Sequence, residues 1–420
     1  MNEWLKFAPK ASALPQGKTY HVFLSYRSVH RPWVLQLYDI LKDLEFEVYL
    51  DQYVLKANDD LVLALQKGLD ESASGILIWS SKTEDSVWCE KEYSTMEHKA
   101  TGGDFHYGVA KLDKANLPAF ASNKLYADFS DYSEGPTGLG LLRLLYNIID
   151  KPLPDDAIRF GTKVDEEYYK AFNKIEAAKD IGNINQLSIL SKTDSTAWNS
   201  TPVLKCAVAN AIIKLGENDA AIEVLKNTET QFPRAKRPKQ LKGLALARKG
   251  KTDEAQLILG ELEAAGNLDP ETMGILARTW MDRYNDTGKE AFLRKSRNLY
   301  ELGCTHSPSD YYVCINAASK SVFLGEYDKA LEIADKVEGI VGKEVAVNDY
   351  WKTATAAEVQ LIKKEFILAG QLYQAGVDMD PMDVGSHQST RKQARLLLDH
   401  LNASDEDREK IELAFKGIPE

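Results

Sequence analysis

The sequence predicts an α/β domain with a flavodoxin-like parallel sheet, followed by an all-α region of helical repeats. Over roughly the first 150 residues, short apolar runs rich in β-branched and aromatic residues alternate with segments of helical periodicity. Beyond residue 164 only helical segments recur, and part of the sequence repeats with a fixed period. We therefore divide the chain into four parts: an N-terminal lead, an α/β domain, a linker and a helical domain, at residues 1–18, 19–152, 153–163 and 164–420.

The predicted α/β domain contains about five strands with helices between them. Strands connected through helices favour right-handed crossovers, which produce a parallel sheet covered on both faces. Helices are expected over 31–45, 61–69 and 138–149, with a further helix around Glu92. The predicted strands cover residues 22–26, 47–50, 75–79, 107–112 and 124–126.

The helical region contains an internal repeat. The segment AIIKLGENDAA at 211–221 aligns with ALARKGKTDEA at 245–255, an offset of 34 residues. This period is typical of tetratricopeptide (TPR) repeats, which have Gly at the turn between two helices and Ala where the helices touch. The same spacing recurs from Gly325, and a weaker copy near residues 364–369 lacks the glycine. Four such helix pairs predict a curved solenoid, a shape generally used to bind proteins or peptides.

Composition and charge exclude several functional classes. The chain has 420 residues, 44% apolar and 27% charged, with a mean hydropathy of -0.36 and a net charge of -11. Neither half is basic, so binding of nucleic acid is not expected as a main task. No apolar run approaches the roughly 18 residues of a membrane span, and the N-terminus lacks a signal-peptide core. We expect a soluble cytoplasmic protein without a membrane partner.

The cysteines predict neither a metal site nor a disulfide. The four residues Cys89, Cys206, Cys304 and Cys314 form no CxxC pair, and no histidines with ligand spacing accompany them. We expect buried, reduced thiols and no bound metal.

Residues 76–96, ILIWSSKTEDSVWCEKEYSTM, are the strongest functional clue. They predict a buried strand, a polar loop that contains Ser86, and a helix that begins near Trp88. Glu92 follows Trp88 by four residues, so the two share one helical face. An aromatic ring and a carboxylate would then lie together at the edge of the sheet. The alternatives are that Glu92 makes a surface ion pair and that Trp88 packs in the core.

Residues 19–150 resemble a TIR domain. The similarity rests on FLSYR at 23–27, the segment FEVYLD that ends at Asp51, the following LKANDDL loop, and SVWCEKEY at 86–93. Asn58 stands where many members have Gly. The resemblance implies either a scaffold that self-associates or an enzyme that cleaves NAD+ between nicotinamide and ribose. In the enzymatic kind, the catalytic carboxylate corresponds to Glu92.

The resemblance also suggests NAD+-binding residues at the carboxyl ends of the first two strands, the edge at which such sheets bind ligands. Arg27 would contact the pyrophosphate or ribose, unless it makes only a surface ion pair. Asp51 would bind ribose hydroxyls or cap its loop. Trp88 would stack on nicotinamide or adenine. Ser25 and Tyr26 are expected to shape the edge of the site.

Residues 165–400 resemble the TRAF-binding, tetratricopeptide-like regulatory region of stress kinases that activate mitogen-activated protein kinases. The resemblance rests on DPETMGILARTWMDRY from residue 269, on the segment that begins DYYVCINAAS at 310, and on DYWKTATAAEVQLI from 349. We expect four of its residues either to line a concave binding surface or to pack between helices: Tyr311, Tyr312, Asn316 and Trp351.

Together, the resemblances imply an NAD+ glycohydrolase that releases nicotinamide and ADP-ribose or cyclic ADP-ribose. NAD+ would be the substrate, and no cofactor is expected. The most specific form is a bacterial anti-phage effector whose TIR domain self-associates and whose repeats respond to an unknown protein or ligand. One alternative is a non-catalytic adaptor that acts through TIR–TIR and repeat–peptide contacts. Another is a nucleotide-binding sensor without turnover.

Overall fold

A computed structural model describes residues 3–50, 61–83, 87–103, 105–117, 126–130, 134–346, 349–379 and 384–418. Within these residues the chain forms two compact units, residues 1–267 and 268–420. The first unit contains the sheet and the helices that follow it, and the second contains helices.

The sheet is parallel and has five strands, as the sequence predicts. The strand order is β2-β1-β3-β4-β5, and every neighbouring pair is parallel. Non-consecutive neighbours such as β1 and β3 require the crossover connections expected of this fold. The strands are β1 Tyr20–Ser25, β2 Val48–Tyr49, β3 Ser72–Trp79, β4 His106–Lys111 and β5 Tyr126–Asp128.

Helices cover both faces of the sheet because side chains alternate along the buried strands. Val22 and Leu24 of β1 point into one core, and Phe23 points into the other. The helices of this domain are α1 Arg31–Asp43, α2 Leu61–Asp70, α3 Val87–Thr101 and α4 Gly138–Ile148. The first core contains residues of α1 and α4, and the second contains Tyr93 and Met96 of α3 with Leu69 of α2.

The helix α5, Asp155–Asp180, starts directly after Pro154 and runs through the linker predicted at 153–163. Its buried positions Ala157, Gly161, Val164 and Tyr168 follow helical spacing, so the buried stripe of the helix extends into the stretch whose polar composition suggested a linker. The division between the compact units falls at residue 267, well after this point.

Most of the remaining helices pack against the next helix in the chain. Those of the first unit are α6 Ile184–Leu190, α7 Thr196–Ser200, α8 Val203–Lys214, α9 Asn218–Gln231, α10 Lys236–Arg248 and α11 Thr252–Ala264. Those of the second unit are α12 Pro270–Thr287, α13 Glu290–His306, α14 Tyr311–Phe323, α15 Tyr327–Val341, α16 Tyr350–Ile362, α17 Phe366–Met379, α18 Val384–His400 and α19 Asp405–Leu413.

The glycines of the sequence repeat occupy the turns within helix pairs. Gly216, Gly250 and Gly325 have φ angles of 86°, 77° and 74°, a left-handed conformation that glycine adopts without strain. The repeated alanines Ala221 and Ala255 are fully buried. In the copy that lacks glycine, Lys364 adopts this conformation with a φ of 63°, so the turn is kept despite the substitution.

The sheet domain joins the first helices through a close contact between α4 and α5. Gly138 has a φ of 63°, and a Cβ atom at this position would lie 1.6 Å from Oδ1 of Asp165. The Asp165 carboxylate accepts hydrogen bonds of 3.2 and 3.3 Å from the amide of Leu139, in the first turn of α4. Only glycine at residue 138 allows the carboxylate to reach this helix end.

The cysteine prediction is wrong for one pair. Cys304 and Cys314 form a disulfide between the last turn of α13 and the first turn of α14. The helices reverse direction between these residues, so their Cα atoms lie 4.8 Å apart although they are 10 positions apart in sequence. Cys89 and Cys206 are buried thiols, as expected.

Candidate active site

The carboxyl edge of the sheet brings together two of the predicted site residues. Ser25 ends β1, and α3, which contains Glu92, follows the neighbouring strand β3. The Ser25 hydroxyl donates a 2.5 Å hydrogen bond to Oε2 of Glu92. Ser25 is 1% exposed, whereas Glu92 is partly exposed. A buried hydroxyl thus holds the carboxylate of a partly exposed residue.

The close packing of α3 on β3 positions Glu92. Cys89, Tyr93 and Met96 of α3 are buried, and the last two belong to the core on this face of the sheet. A Cβ at Gly75 of β3 would lie 2.6 Å from the sulfur of Met96. Glycine at this strand position therefore permits the short helix-to-sheet distance that lets Glu92 reach Ser25.

Arg27 lies on the same edge, in the loop that follows β1. It is exposed, and its Nη1 donates to the carbonyl oxygen of Lys82, in the loop that follows β3. This bond ties together two neighbouring loops at the carboxyl edge. The guanidinium therefore lies at the carboxyl edge, and its contact with pyrophosphate or ribose stays a prediction.

Tyr26 shapes the start of α1. Its hydroxyl accepts a 3.2 Å hydrogen bond from Nε of Arg31, whose guanidinium carbon lies 5.8 Å from the Tyr26 ring centre. The ring is partly buried against the core between the sheet and α1. Tyr26 thus connects the end of β1 to the first residue of α1.

The side chains of two predicted site residues, Asp51 and Trp88, are not described. Asp51 lies outside the described residues, as does Ser86 of the following loop, and for Trp88 only the backbone within α3 is described. The proposed contacts of Asp51 and Trp88 with NAD+ remain predictions.

His30 is a polar residue of this edge that the sequence reasoning missed. Its Nε2 lies 2.6 Å from Oγ of Ser80, the residue that follows β3. Burial and, next in size, the Lys82 ammonium lower the pKa of His30 to about 4. The imidazole is therefore neutral at neutral pH. A histidine just after a strand that ends at this edge is the sequence signal that could have indicated it.

Asp113 completes the polar surroundings of the loop that follows β3. Its carboxylate accepts bonds from the amide and hydroxyl of Ser81, at 2.9 and 2.6 Å, and from the amide of Ala115 at 2.9 Å. Burial acts to raise the pKa of Asp113, but these hydrogen bonds outweigh it and lower the pKa. Asp113 is therefore ionised, and its carboxylate holds this loop in place through these hydrogen bonds.

The described residues contain no group of three His, Cys, Asp or Glu side chains arranged to hold a metal ion. Among the helices in the described part of the chain, none combines the length and apolar character needed to cross a membrane.

Comparison with known families finds one match in the N-terminal part of the chain and one in the helical region. Residues 22–142 match the family model of the TIR domain. Residues 217–322 match the family described as Tetratricopeptide Repeats-Sensor. The chain thus carries a TIR domain followed by a TPR-type sensor repeat region. None of the curated proteins matches it.

Two of the solved structures to which the chain is similar are TPR proteins. One is a thermophilic TPR protein from Thermus thermophilus, 15% identical, which covers 46% of this chain and 97% of its own with a TM-score of 0.37. Another is the C-terminal part of a TPR repeat-containing protein from Cytophaga hutchinsonii, 16% identical. It covers 59% of this chain and 93% of its own with a TM-score of 0.32.

Proposed function

We propose that the TIR domain is an NAD+ glycohydrolase that cleaves the bond between nicotinamide and ribose, with Glu92 as the catalytic carboxylate. The observation that carries this proposal is the bond from buried Ser25 to Glu92 at the carboxyl edge of the sheet. Ligands of such sheets bind at this edge. A partly exposed carboxylate fixed there by a buried donor is suited to act on a bound nucleotide.

The reaction needs one anion and no general acid. When the glycosidic bond breaks, its electron pair stays with nicotinamide, which leaves as a neutral molecule. Positive charge develops on the ribose, and the Glu92 carboxylate stabilises it or orients the ribose hydroxyls. Water then forms the new bond at the ribose carbon and loses a proton to solvent, which gives ADP-ribose. Attack by the adenine ring of the same molecule would give the cyclic product instead.

Three other residues would hold the substrate. Arg27 is exposed at the carboxyl edge of the sheet, where Glu92 also lies. It can exchange its bond to the Lys82 carbonyl for a bond to a phosphate oxygen of NAD+. Trp88 would stack on a base, and Asp51 would accept bonds from ribose hydroxyls. His30, being neutral, adds no positive charge that would oppose charge development on the ribose.

The sensor repeats suggest the biological setting. We propose an immune effector, such as an anti-phage protein, that consumes NAD+ when the repeats detect a protein or small molecule. The support is the presence of a TIR domain and of sensor repeats in one chain. Self-association of the TIR domain would be part of activation.

Product analysis tests the proposed function. Full-length protein is concentrated with a crowding agent to favour assembly and incubated with NAD+, and the products are separated by chromatography. We expect nicotinamide together with ADP-ribose or its cyclic isomer, and neither with Glu92→Ala. Intact NAD+ that nevertheless binds would indicate a sensor without turnover. Normal signalling by Glu92→Ala in a cellular assay would indicate an adaptor.

A further inference from the structure

Helix α1 of the TIR domain has a second buried face, which lies against the helical region of the same compact unit. Most buried residues of α1 belong to the sheet core, but Gln36 and Asp39 lie on another side of the helix. Gln36 is 7% exposed, and the Asp39 side chain is 11% exposed. The second face lines a cavity whose far wall includes Val203, Phe232 and Ala235. An outer helix of a sheet domain normally presents this side to water.

Asp39 makes two bonds to the first residue of α10. Its Oδ1 pairs with Nζ of Lys236 at 2.5 Å, and its Oδ2 accepts from the Lys236 amide at 2.9 Å. Residue 235, which precedes the helix, is alanine and provides no side-chain cap. The carboxylate from α1 therefore satisfies an N-terminal amide of α10 and adds the negative charge that this helix end favours.

The contact between Asp39 and Lys236 is largely buried from solvent and has a specific geometry. The Lys236 side chain is 17% exposed, and its ammonium also lies 4.7 Å from the Tyr38 ring centre. Burial raises the pKa of Asp39, and Lys236 acts in the opposite direction. Removing either partner would leave a buried charge without its counter-ion, which is far more costly than losing an exposed pair.

The other end of α1 reaches the candidate active site. Arg31, the first residue of α1, donates to Tyr26, and His30 lies within bonding distance of Ser80. Ser25, which precedes these residues, holds Glu92. A shift of α1 along or about its axis would therefore move the loop of residues 26–30 beside Glu92. Helix α10, in turn, lies within residues 217–322, which match the sensor repeats.

We propose that the contact between Asp39 and Lys236 is the point through which the sensor repeats hold the TIR site in a resting arrangement. In this arrangement Arg27 bonds to the Lys82 carbonyl instead of to a substrate, while Ser25 keeps Glu92 in place. Release of α10 from Asp39 frees α1 and the loop of residues 26–30, which allows Arg27 to turn to NAD+. The activity part of this inference rests on the proposed function, whereas the structural coupling does not.

The test uses full-length Asp39→Ala and Lys236→Met, with Arg234→Ser as the matched control. Arg234 lies two residues before α10 and pairs with Asp43 of α1 at 3.2 Å, but its side chain is 74% exposed, so its loss should have little effect. Hydrogen exchange is followed by mass spectrometry in residues 236–241 of α10 and in the loop 26–31. Basal NAD+ cleavage is measured on the same samples.

Asp39→Ala and Lys236→Met should each increase exchange about tenfold or more in the α10 segment and in the loop 26–31. They should also raise basal NAD+ cleavage about tenfold, while Arg234→Ser matches the wild type. Faster exchange in α10 with an unchanged loop 26–31 would overturn the coupling. The coupling would also be overturned if forced assembly activated NAD+ cleavage but both variants kept the basal rate of the wild type. If neither the wild type nor any variant cleaves NAD+, the proposed function is wrong. Hydrogen exchange in the loop 26–31 then decides the coupling by itself.

Discussion

The hydroxyl of Ser25 donates a 2.5 Å hydrogen bond to Oε2 of Glu92, although 67 residues separate them in sequence. The contact forms because β1 and β3 are parallel neighbours, so the end of one lies beside the loop and helix that follow the other. A buried hydroxyl thereby orients the carboxylate that we assign to catalysis.

Removing the Ser25 hydroxyl should impair catalysis without unfolding the domain. A hydrogen bond to a charged group contributes about 1.5–3 kcal/mol, so Ser25→Ala should lower NAD+ cleavage about tenfold or more. Steady-state kinetics on assembled protein would check this. Ser74→Ala is the matched control, because Ser74 is a fully buried serine of β3 that donates to the His21 carbonyl. An equal effect of the two variants on activity would mean that the loss arises from packing.

His30 should make stability depend on pH. Its pKa is lowered in the folded protein to about 4, from a usual value of about 6.5. As the pH falls, His30 therefore binds a proton in the unfolded chain before it does so in the folded protein. The stability that is present above pH 6.5 is lost as the pH falls towards 4. We expect the wild type to lose about 1 kcal/mol from this residue between pH 7.5 and 5.5.

The measurement for His30 is chemical denaturation of wild type and His30→Asn at both pH values. Asparagine keeps a polar partner for Ser80 but does not titrate, so the variant should lose less stability on acidification. The same loss in both proteins would show that groups other than His30 set the pH dependence.

Gly138→Ala should destabilise the protein more than alanine at another glycine that has a left-handed backbone conformation. Alanine at a left-handed position costs about 1–2 kcal/mol, which is all we expect for Gly216→Ala because its Cβ meets no atom within 4 Å. At Gly138 the new Cβ also displaces the Asp165 carboxylate from the Leu139 amide. We expect a total loss of about 3 kcal/mol, measured by denaturant unfolding. Equal losses for the two variants would contradict the role given to Asp165.

The bridge between Cys304 and Cys314 should stabilise the second unit. Closing so short a loop restricts the unfolded chain by about 2–3 kcal/mol. Cys304→Ser with Cys314→Ser should unfold at lower temperature than oxidised wild type, and a reductant should remove the difference. Titration of the denatured protein without reductant should find two free thiols among its four cysteines. Four free thiols would show that the bridge does not form.

Much of the fold could be predicted because its signals are local. The apolar strands, the helix period and the 34-residue repeat depend on residues close in sequence, and the five-stranded sheet and paired helices follow from them. The continuation of α5 through residues 155–163 was missed because its first turns are polar there and buried only at a few positions. The bridge from Cys304 depends on where the chain turns, which spacing alone does not indicate.

The site was predictable in part for the same reason. Glu92 and Ser25 were identified by sequence context, but their direct bond depends on the strand order, which is a long-range property. His30 was missed because its lowered pKa results from burial and from Lys82, which is distant in sequence. The bond from Asp39 to α10 could not be foreseen, since nothing near Asp39 in sequence marks it as a partner of Lys236.

If Glu92 is the catalytic carboxylate, NAD+ cleavage should depend on its charge. A comparison of two conservative variants tests this most directly. Glu92→Gln keeps the size of the side chain but removes its charge. Glu47→Gln makes the same change at a residue that pairs with Lys42 and precedes β2, at the opposite edge of the sheet. Nicotinamide release is measured with full-length protein assembled under crowding. We predict at least about a hundredfold loss for Glu92→Gln and a rate near wild type for Glu47→Gln. Equal release by Glu92→Gln and wild type would contradict the assignment.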